Sequence, residues 1–345
     1  MMDQEFTSGG KPFIHYHYAH CETGVTATLF RDQGVDISEP MIFGIGSGIF
    51  FGHLPFIKMA GVTISTYRTQ PGAIFRKASK RLGGKFITQK YRNPQKGMDE
   101  LRRVLQTGQI VGLTTNIYWL SYFPNRFRFQ FNGHNIVVLR EIEQGFRVSD
   151  PVLDHPVDCL TEDLERARFA KGPLEPHGLM YYPKFIPPDP DLKAPCIQGI
   201  KDTCRMMLKI PLPVFGIRGI RLLAKKVIKS ADVYGFPEAC RQLAGLVRMQ
   251  EEVGTGGAGF RYLYAAFLQE AAELFGSGEL ADLSREMTGI GDVWREFAVV
   301  SARIIKQRKS AEATFAKAGG LMLVCAGREE QLFQNLYKVA GKLRA

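Results

Sequence analysis

A cysteine at the head of an apolar stretch, a histidine at the head of a strand-like run and an aspartate at the tail of the next one constrain this chain more than anything else in it. The cysteine is Cys21. It is followed by Val25, Ala27, Leu29 and Phe30 and a stop at Gly34, which predicts a short buried helix with the thiol at its N-terminal end. His134 opens the run Ile136, Val137, Val138, Leu139, and Asp150 closes the run from Phe146 and precedes Pro151. Side chains alternate along a strand. If these two runs pair antiparallel with Ile136, Val138, Phe146 and Val148 on one face, joined by a turn at Glu143, Gln144 and Gly145, His134 and Asp150 share that face.

These residue types suit nucleophilic catalysis. A thiol attacks only as thiolate, and a helix N-terminus beside an imidazole favours that form. Cys21 would be the nucleophile, His134 the base that takes and returns its proton, and Asp150 the group that fixes the ring tautomer. Taken singly, each has an ordinary structural reading: a buried small hydrophobe, a hairpin residue and a turn. The ordered trio with a common face favours the catalytic one.

The surrounding elements point to an α+β chain. Ser38 and Pro40 start a second helix, followed by a bend at Gly44, Gly46 and Gly48. Asn93 to Leu105 reads as a helix with Pro94 at its start, and Ile110 to Thr115 as a buried strand. Arg126 to Phe131 alternates strictly, so a strand is expected there, joined to the His134 strand by a tight turn at Asn132-Gly133. Between Pro156 and Pro195 prolines accumulate, as in a linker or wrapping segment. Beyond it helical spacing dominates, in Pro237–Val253, Phe260–Phe275, Asp292–Lys309 and Glu329–Leu343. The expected organisation is a catalytic domain over 1–160, the proline-rich segment over 161–200 and a helical domain over 201–345.

Composition limits the alternatives. At 345 residues and 45% hydrophobic content the chain can bury a sizeable core. Six cysteines without a CxxC pair suggest neither a zinc ribbon nor a disulfide framework, and reduced thiols in a cytoplasmic protein follow as the expectation. Residues 1–20, with Asp3 and Glu5, do not resemble a secretory signal. The longest apolar run, Pro40–Phe51, is too short and glycine-rich to span a membrane. The histidines at 15, 17 and 20 beside Cys21 lack a second cluster to complete a metal site, so no metal is expected.

The net charge of +11 suits an acidic partner, or is that of a merely basic soluble protein. Zinc-finger spacing, an RNP-type pattern and a basic arm are all missing, which argues against nucleic acid. Arg218, Arg221, Lys225, Lys226 and Lys229 recur at helical spacing beside Ile220, Leu223, Val227 and Ile228. Such a face suits an acidic carrier protein; a peripheral membrane contact and a plain solvated surface stay open. Gly256, Gly257 and Gly259 before Arg261 offer either an anion site at a helix start or room for a close helix crossing. Met206–Leu208 and Ile210–Phe215 suit an acyl pocket, a lid or ordinary packing.

The His20-Cys21 opening, the run Ile37–Phe51, Gly133-His134 and Ser149-Asp150-Pro151 resemble the N-terminal domain of the butirosin biosynthesis protein H family, and Gly256–Arg261 resembles the domain that commonly follows it. The resemblance implies a papain-like cysteine fold in the first domain, used for acyl transfer from the phosphopantetheine thioester of an acyl carrier protein to an amine or hydroxyl acceptor. It implies no bound cofactor, since the pantetheine arrives on the donor. Papain-like enzymes place a side-chain oxyanion donor, usually glutamine, six residues before the cysteine; here that position is His15. A cysteine peptidase, amidase or thioesterase with the same triad and a non-catalytic binding protein are the alternatives.

Overall fold

The computed structural model describes residues 7–8, 11–59, 61–308 and 313–344. The expectations for Asp3, Glu5 and Lys309 lie outside the described residues. The chain divides into two compact units, one of residues 1–42 and 75–190, the other of residues 43–74 and 191–345. In chain order the elements are β1 (Thr7–Ser8), β2 (Lys11–Pro12), α1 (Cys21–Asp32), α2 (Glu39–Ile45), β3 (Ile49–Met59), β4 (Val62–Arg68), α3 (Ala73–Arg81), β5 (Lys85–Gln89), α4 (Pro94–Leu105), β6 (Val111–Thr115), β7 (His134–Ile142), β8 (Gly145–Ser149), β9 (Val157–Leu160), α5 (Thr161–Arg168) and β10 (Met180–Phe185). The remainder is helical: α6 (Lys193–Lys209), α7 (Gly216–Ile228), α8 (Ser230–Tyr234), α9 (Phe236–Glu251), α10 (Arg261–Phe275), α11 (Gly278–Ile305) and α12 (Phe315–Lys342). Among the described residues no helix is long and apolar enough to cross a membrane.

The first unit is an antiparallel sheet in the order β5-β10-β6-β7-β8-β9, covered on both faces. Strand alternation sorts its core. Ile136, Val138, Phe146 and Val148 pack with Met98, Leu101 and Val104 of α4 and Leu164 and Ala167 of α5. Val137 and Leu139 point the other way, against Val25 and Leu29 of α1 and Phe75 of α3. This is the α+β, papain-like arrangement: a buried helix begun by the cysteine, lying on a sheet whose strand is begun by the histidine.

α1 is a poor helix by composition, since Thr23, Gly24, Val25, Thr26 and Thr28 all have low helical propensity. Burial holds it instead, because every residue from Cys21 to Phe30 is buried. His20 caps its start by accepting from the Thr23 N–H. Gly24 has no alternative: a Cβ there would lie 2.7 Å from Pro151 Cβ and 2.8 Å from the Tyr18 ring. That close approach brings the head of α1 to the end of β8.

Three expectations are corrected here. Arg126–Phe131 is not a strand; Asn125–Phe127 is a single 3-10 turn in a loop, and Asn132 donates to the Pro173 carbonyl rather than closing a tight hairpin. β7 is already flanked by β6 and β8, so no edge remains for that segment to pair with. The stretch 161–200 is not a linker. It supplies α5 and then β10, which inserts between β5 and β6, with Pro183 beyond the β6 pairing and beside a bulge, where a missing N–H is tolerated. The 1–160 boundary also fails, because β3 and β4 belong to the helical unit. There Phe51 and Tyr67 pack edge to face, and both rings meet Trp294 of α11.

Candidate active site

Cys21, His134 and Asp150 converge. His134 Nε2 lies 2.7 Å from Asp150 Oδ2, and the same ring hydrogen-bonds to the Cys21 sulfur. With Nε2 given to the carboxylate, Nδ1 is the nitrogen left for the thiol. The two strands turn through Glu143 and Gln144 alone, and after a bulge between Val138 and Arg140 Val137 pairs with Ser149, which sets Ile136 rather than His134 opposite Asp150. His134 and Asp150 are therefore diagonal neighbours on the shared face, not directly opposite.

Asp150 is fully buried and accepts from three donors. Its Oδ2 also accepts from the Tyr122 hydroxyl at 2.8 Å, and its Oδ1 accepts from the Val152 N–H at 3.2 Å. Burial and the carboxylate both push the Tyr122 hydroxyl well above its ordinary pKa, so it stays a donor. For His134 the largest influence, burial, lowers the pKa; the Asp150 charge and hydrogen bond and the Cys21 sulfur override it and raise the ring to about 10. An imidazolium held between a carboxylate and a thiolate is the state in which a cysteine nucleophile works.

The approach to Cys21 is ordered by Glu39, a residue the sequence reading passed over. Its buried carboxylate accepts from the N–H groups of Ala19 and His20 and from the Thr23 hydroxyl. Burial raises its pKa and those hydrogen bonds oppose the rise. Asn135 was also missed. Its amide nitrogen lies 3.9 Å from the Cys21 sulfur and donates to the Gly133 carbonyl at 3.1 Å. The residue beside a catalytic histidine on a strand points to the opposite face, and only the position of α1 makes that face part of the site.

His15 does not take the oxyanion role. Its Nε2–H donates to the Leu153 carbonyl at 2.8 Å, and its Nδ1 accepts from the Ser149 hydroxyl at 2.8 Å. A neutral ring has one donor, and that donor is committed. His17 pairs with Asp154 at 3.5 Å and His20 bonds Thr23, so the three histidines diverge. Among the described residues no group of three His, Cys, Asp or Glu side chains could hold a metal ion.

The glycine-rich turn is not an anion site either. Arg261 is fully buried in a two-toothed pair with Glu329, at 2.9 Å for each contact, and donates to the Gly259 carbonyl. The Ala258 N–H faces the chain's own Glu251 carboxylate, and the Gly257 N–H donates to Thr255 Oγ1. Gly256, Gly257 and Gly259 all have positive φ, and a Cβ on Gly259 would lie 2.4 Å from the Tyr67 ring. They serve a close approach. On α7, Arg221 pairs with Glu330 at 2.6 Å and Lys226 is half-buried, whereas Arg218, Lys225 and, just past the helix end, Lys229 are exposed.

Comparison with known proteins adds two family matches. The family described as "Domain of unknown function (DUF4872)" matches residues 162–336, and that described as "Butirosin biosynthesis protein H, N-terminal" matches residues 20–151, a span containing Cys21, His134 and Asp150. No curated protein matches. A solved structure described as a putative C39-like peptidase from Bacillus anthracis is 18% identical, with a TM-score of 0.34, over 51% of this chain and 96% of that one. At that score the likeness carries no argument.

Proposed function

We propose that this chain, which belongs to the family of the domain of unknown function DUF4872 and carries an N-terminal domain of the butirosin biosynthesis protein H type, is a cysteine acyltransferase working through Cys21, His134 and Asp150. The observation that carries the reading is the buried relay in which Asp150 holds His134 by Nε2 while the same ring meets the Cys21 sulfur. The donor is the phosphopantetheine thioester of an acidic acyl carrier protein, and the acceptor is an amine or hydroxyl of a small molecule made in a biosynthetic pathway.

Each half-reaction balances on these three residues. The Cys21 thiolate attacks the thioester carbonyl, a new carbon–sulfur bond forms and the bond to pantetheine breaks. The departing thiolate takes the proton held by His134. The acceptor then attacks the acyl-enzyme while neutral His134 removes its proton. Cys21 leaves as thiolate beside a restored imidazolium. The exposed cations Arg218 and Lys225 of α7 and Lys229 just past its end are the surface assigned to the carrier.

Intact-protein mass spectrometry with a panel of acyl-carrier and acyl-pantetheine thioesters tests this. An acyl increment on wild type that is absent from Cys21→Ala supports it. Charge reversal of Arg218, Lys225 and Lys229 to Glu should slow acylation by the carrier-borne donor at least about tenfold while sparing the free pantetheine donor. An alkylatable Cys21 that accepts no acyl group from any thioester, or an acyl-enzyme that only water resolves, would replace the transferase reading with a peptidase or thioesterase.

A further inference from the structure

Asn135 is 5% exposed and held from both ends. Its Oδ1 accepts from the Tyr181 hydroxyl of β10 at 3.0 Å and from the Thr114 hydroxyl of β6 at 3.3 Å. Two donors on one oxygen settle which way the amide faces, and Nδ2 is turned towards the Gly133 carbonyl at 3.1 Å and the Cys21 sulfur at 3.9 Å. Access for the tyrosine is built into the sheet: Gly112 pairs with Tyr181, and a Cβ there would lie 2.5 Å from the Tyr181 ring. With His15 committed to Ser149 and Leu153 and His134 serving as the base, Asn135 is a further side-chain donor aimed at the sulfur.

We propose that Asn135 is the oxyanion donor of this site. The inference rests on the reading of Cys21 as an acyl-accepting nucleophile. A carbonyl oxygen whose carbon is bonded to Sγ lies roughly 2.7 Å from that sulfur, so a donor 3.9 Å from the sulfur comes within reach of it without rearrangement. In the resting enzyme Nδ2–H points at the sulfur. When the thiolate attacks, the carbon–sulfur bond forms and the carbonyl π pair moves onto oxygen. Nδ2–H then binds that oxygen until the pair returns and the leaving group departs.

Two single-turnover reactions of the full chain separate this role from a merely structural one. Acylation by p-nitrophenyl acetate, read as the burst of p-nitrophenolate, passes through an oxyanion; alkylation by iodoacetamide does not. Both are measured at a pH where alkylation has reached its plateau. Asn135→Asp keeps the acceptor for Tyr181 and Thr114 and removes the donor, and Asn135→Ala removes both. Each should cut acylation about a hundredfold or more while alkylation stays within about threefold. Tyr181→Phe, which leaves Asn135 in place, should show the same selectivity at smaller size. Equal losses in both reactions would make Asn135 a packing residue and overturn the proposal, as would unchanged acylation or a wild type that is alkylated but never acylated. Since the ester needs no carrier, an enzyme that passes here yet ignores carrier thioesters counts against the acyltransferase reading alone.

Discussion

At the scale of single residues, the site is governed by the carboxylate of Asp150. It accepts from His134, Tyr122 and the Val152 main chain, and its full burial keeps solvent from competing for those bonds. Burial would deprotonate His134, and Asp150 reverses that, raising the ring to about 10. The consequence for stability follows by linkage. A histidine ordinarily titrates at about 6.5, so the native state binds the proton more tightly; the stabilisation is complete below about pH 6.5 and is lost as pH rises through about 10. Urea unfolding should therefore show wild type losing stability between pH 6.5 and 10, and Asp150→Asn should flatten that slope. The same variant should move the basic limb of acyl transfer down from about pH 10 by at least about one unit, as the imidazolium that protonates the leaving thiolate is lost earlier. A limb that stays in place would mean that another group sets it.

At the scale of elements, the decisive contact is between α1 and the end of β8. The Tyr18 N–H donates to the Pro151 carbonyl at 2.6 Å, and the absent Cβ of Gly24 lets the helix lie against Pro151. Gly24→Ala gains about 1 kcal/mol of helix propensity, but must displace Pro151 Cβ at 2.7 Å and Tyr18, at a cost of about 1–3 kcal/mol. Thermal unfolding should show a net loss of stability, and iodoacetamide should alkylate Cys21 more slowly because the thiol is lifted from His134. An unchanged alkylation rate would show that the helix head moves without consequence. Helix and strand identities here were legible from periodicity: α1, α2, α4, β6, β7 and β8 form where apolar spacing and capping residues put them. Arg126–Phe131 alternates just as well and is a loop, because alternation states that a segment can pair and not that an edge is available.

At the scale of the whole molecule, the largest departure is discontinuity. Residues 43–74 belong with 191–345, and β10 returns after α5 to the middle of the first sheet, so no single cut in the chain separates the units. Within the helical unit, Glu329 of α12 gathers Arg261 of α10 and the Trp294 indole N–H of α11, at 2.9 Å and 2.7 Å. Glu329→Ala leaves a guanidinium buried without its counter-charge and should cost about 3–5 kcal/mol in equilibrium unfolding. Arg261→Met combined with Glu329→Leu should recover much of that loss, since the pair's own desolvation cost disappears with it. A double variant no better than Glu329→Ala would show that the pair contributes more than its charges.

Some of this protein is written in local sequence. A helix headed by Cys21, strands that put His134 and Asp150 on one face, and a helical second half all follow from periods of 3.6 and 2, which are properties of adjacent residues. The tertiary structure alone decided that α1 covers the face of β7 opposite His134, bringing Asn135 to the sulfur, and that His15 spends its donor on Leu153. It alone decided that Arg261 answers a carboxylate from the far end of the chain instead of a ligand. The reason is one of range. Periodicity says which way a side chain points, but what it meets there is set by burying apolar faces against one another, and that packing joins residues more than a hundred positions apart with no local mark of the partnership.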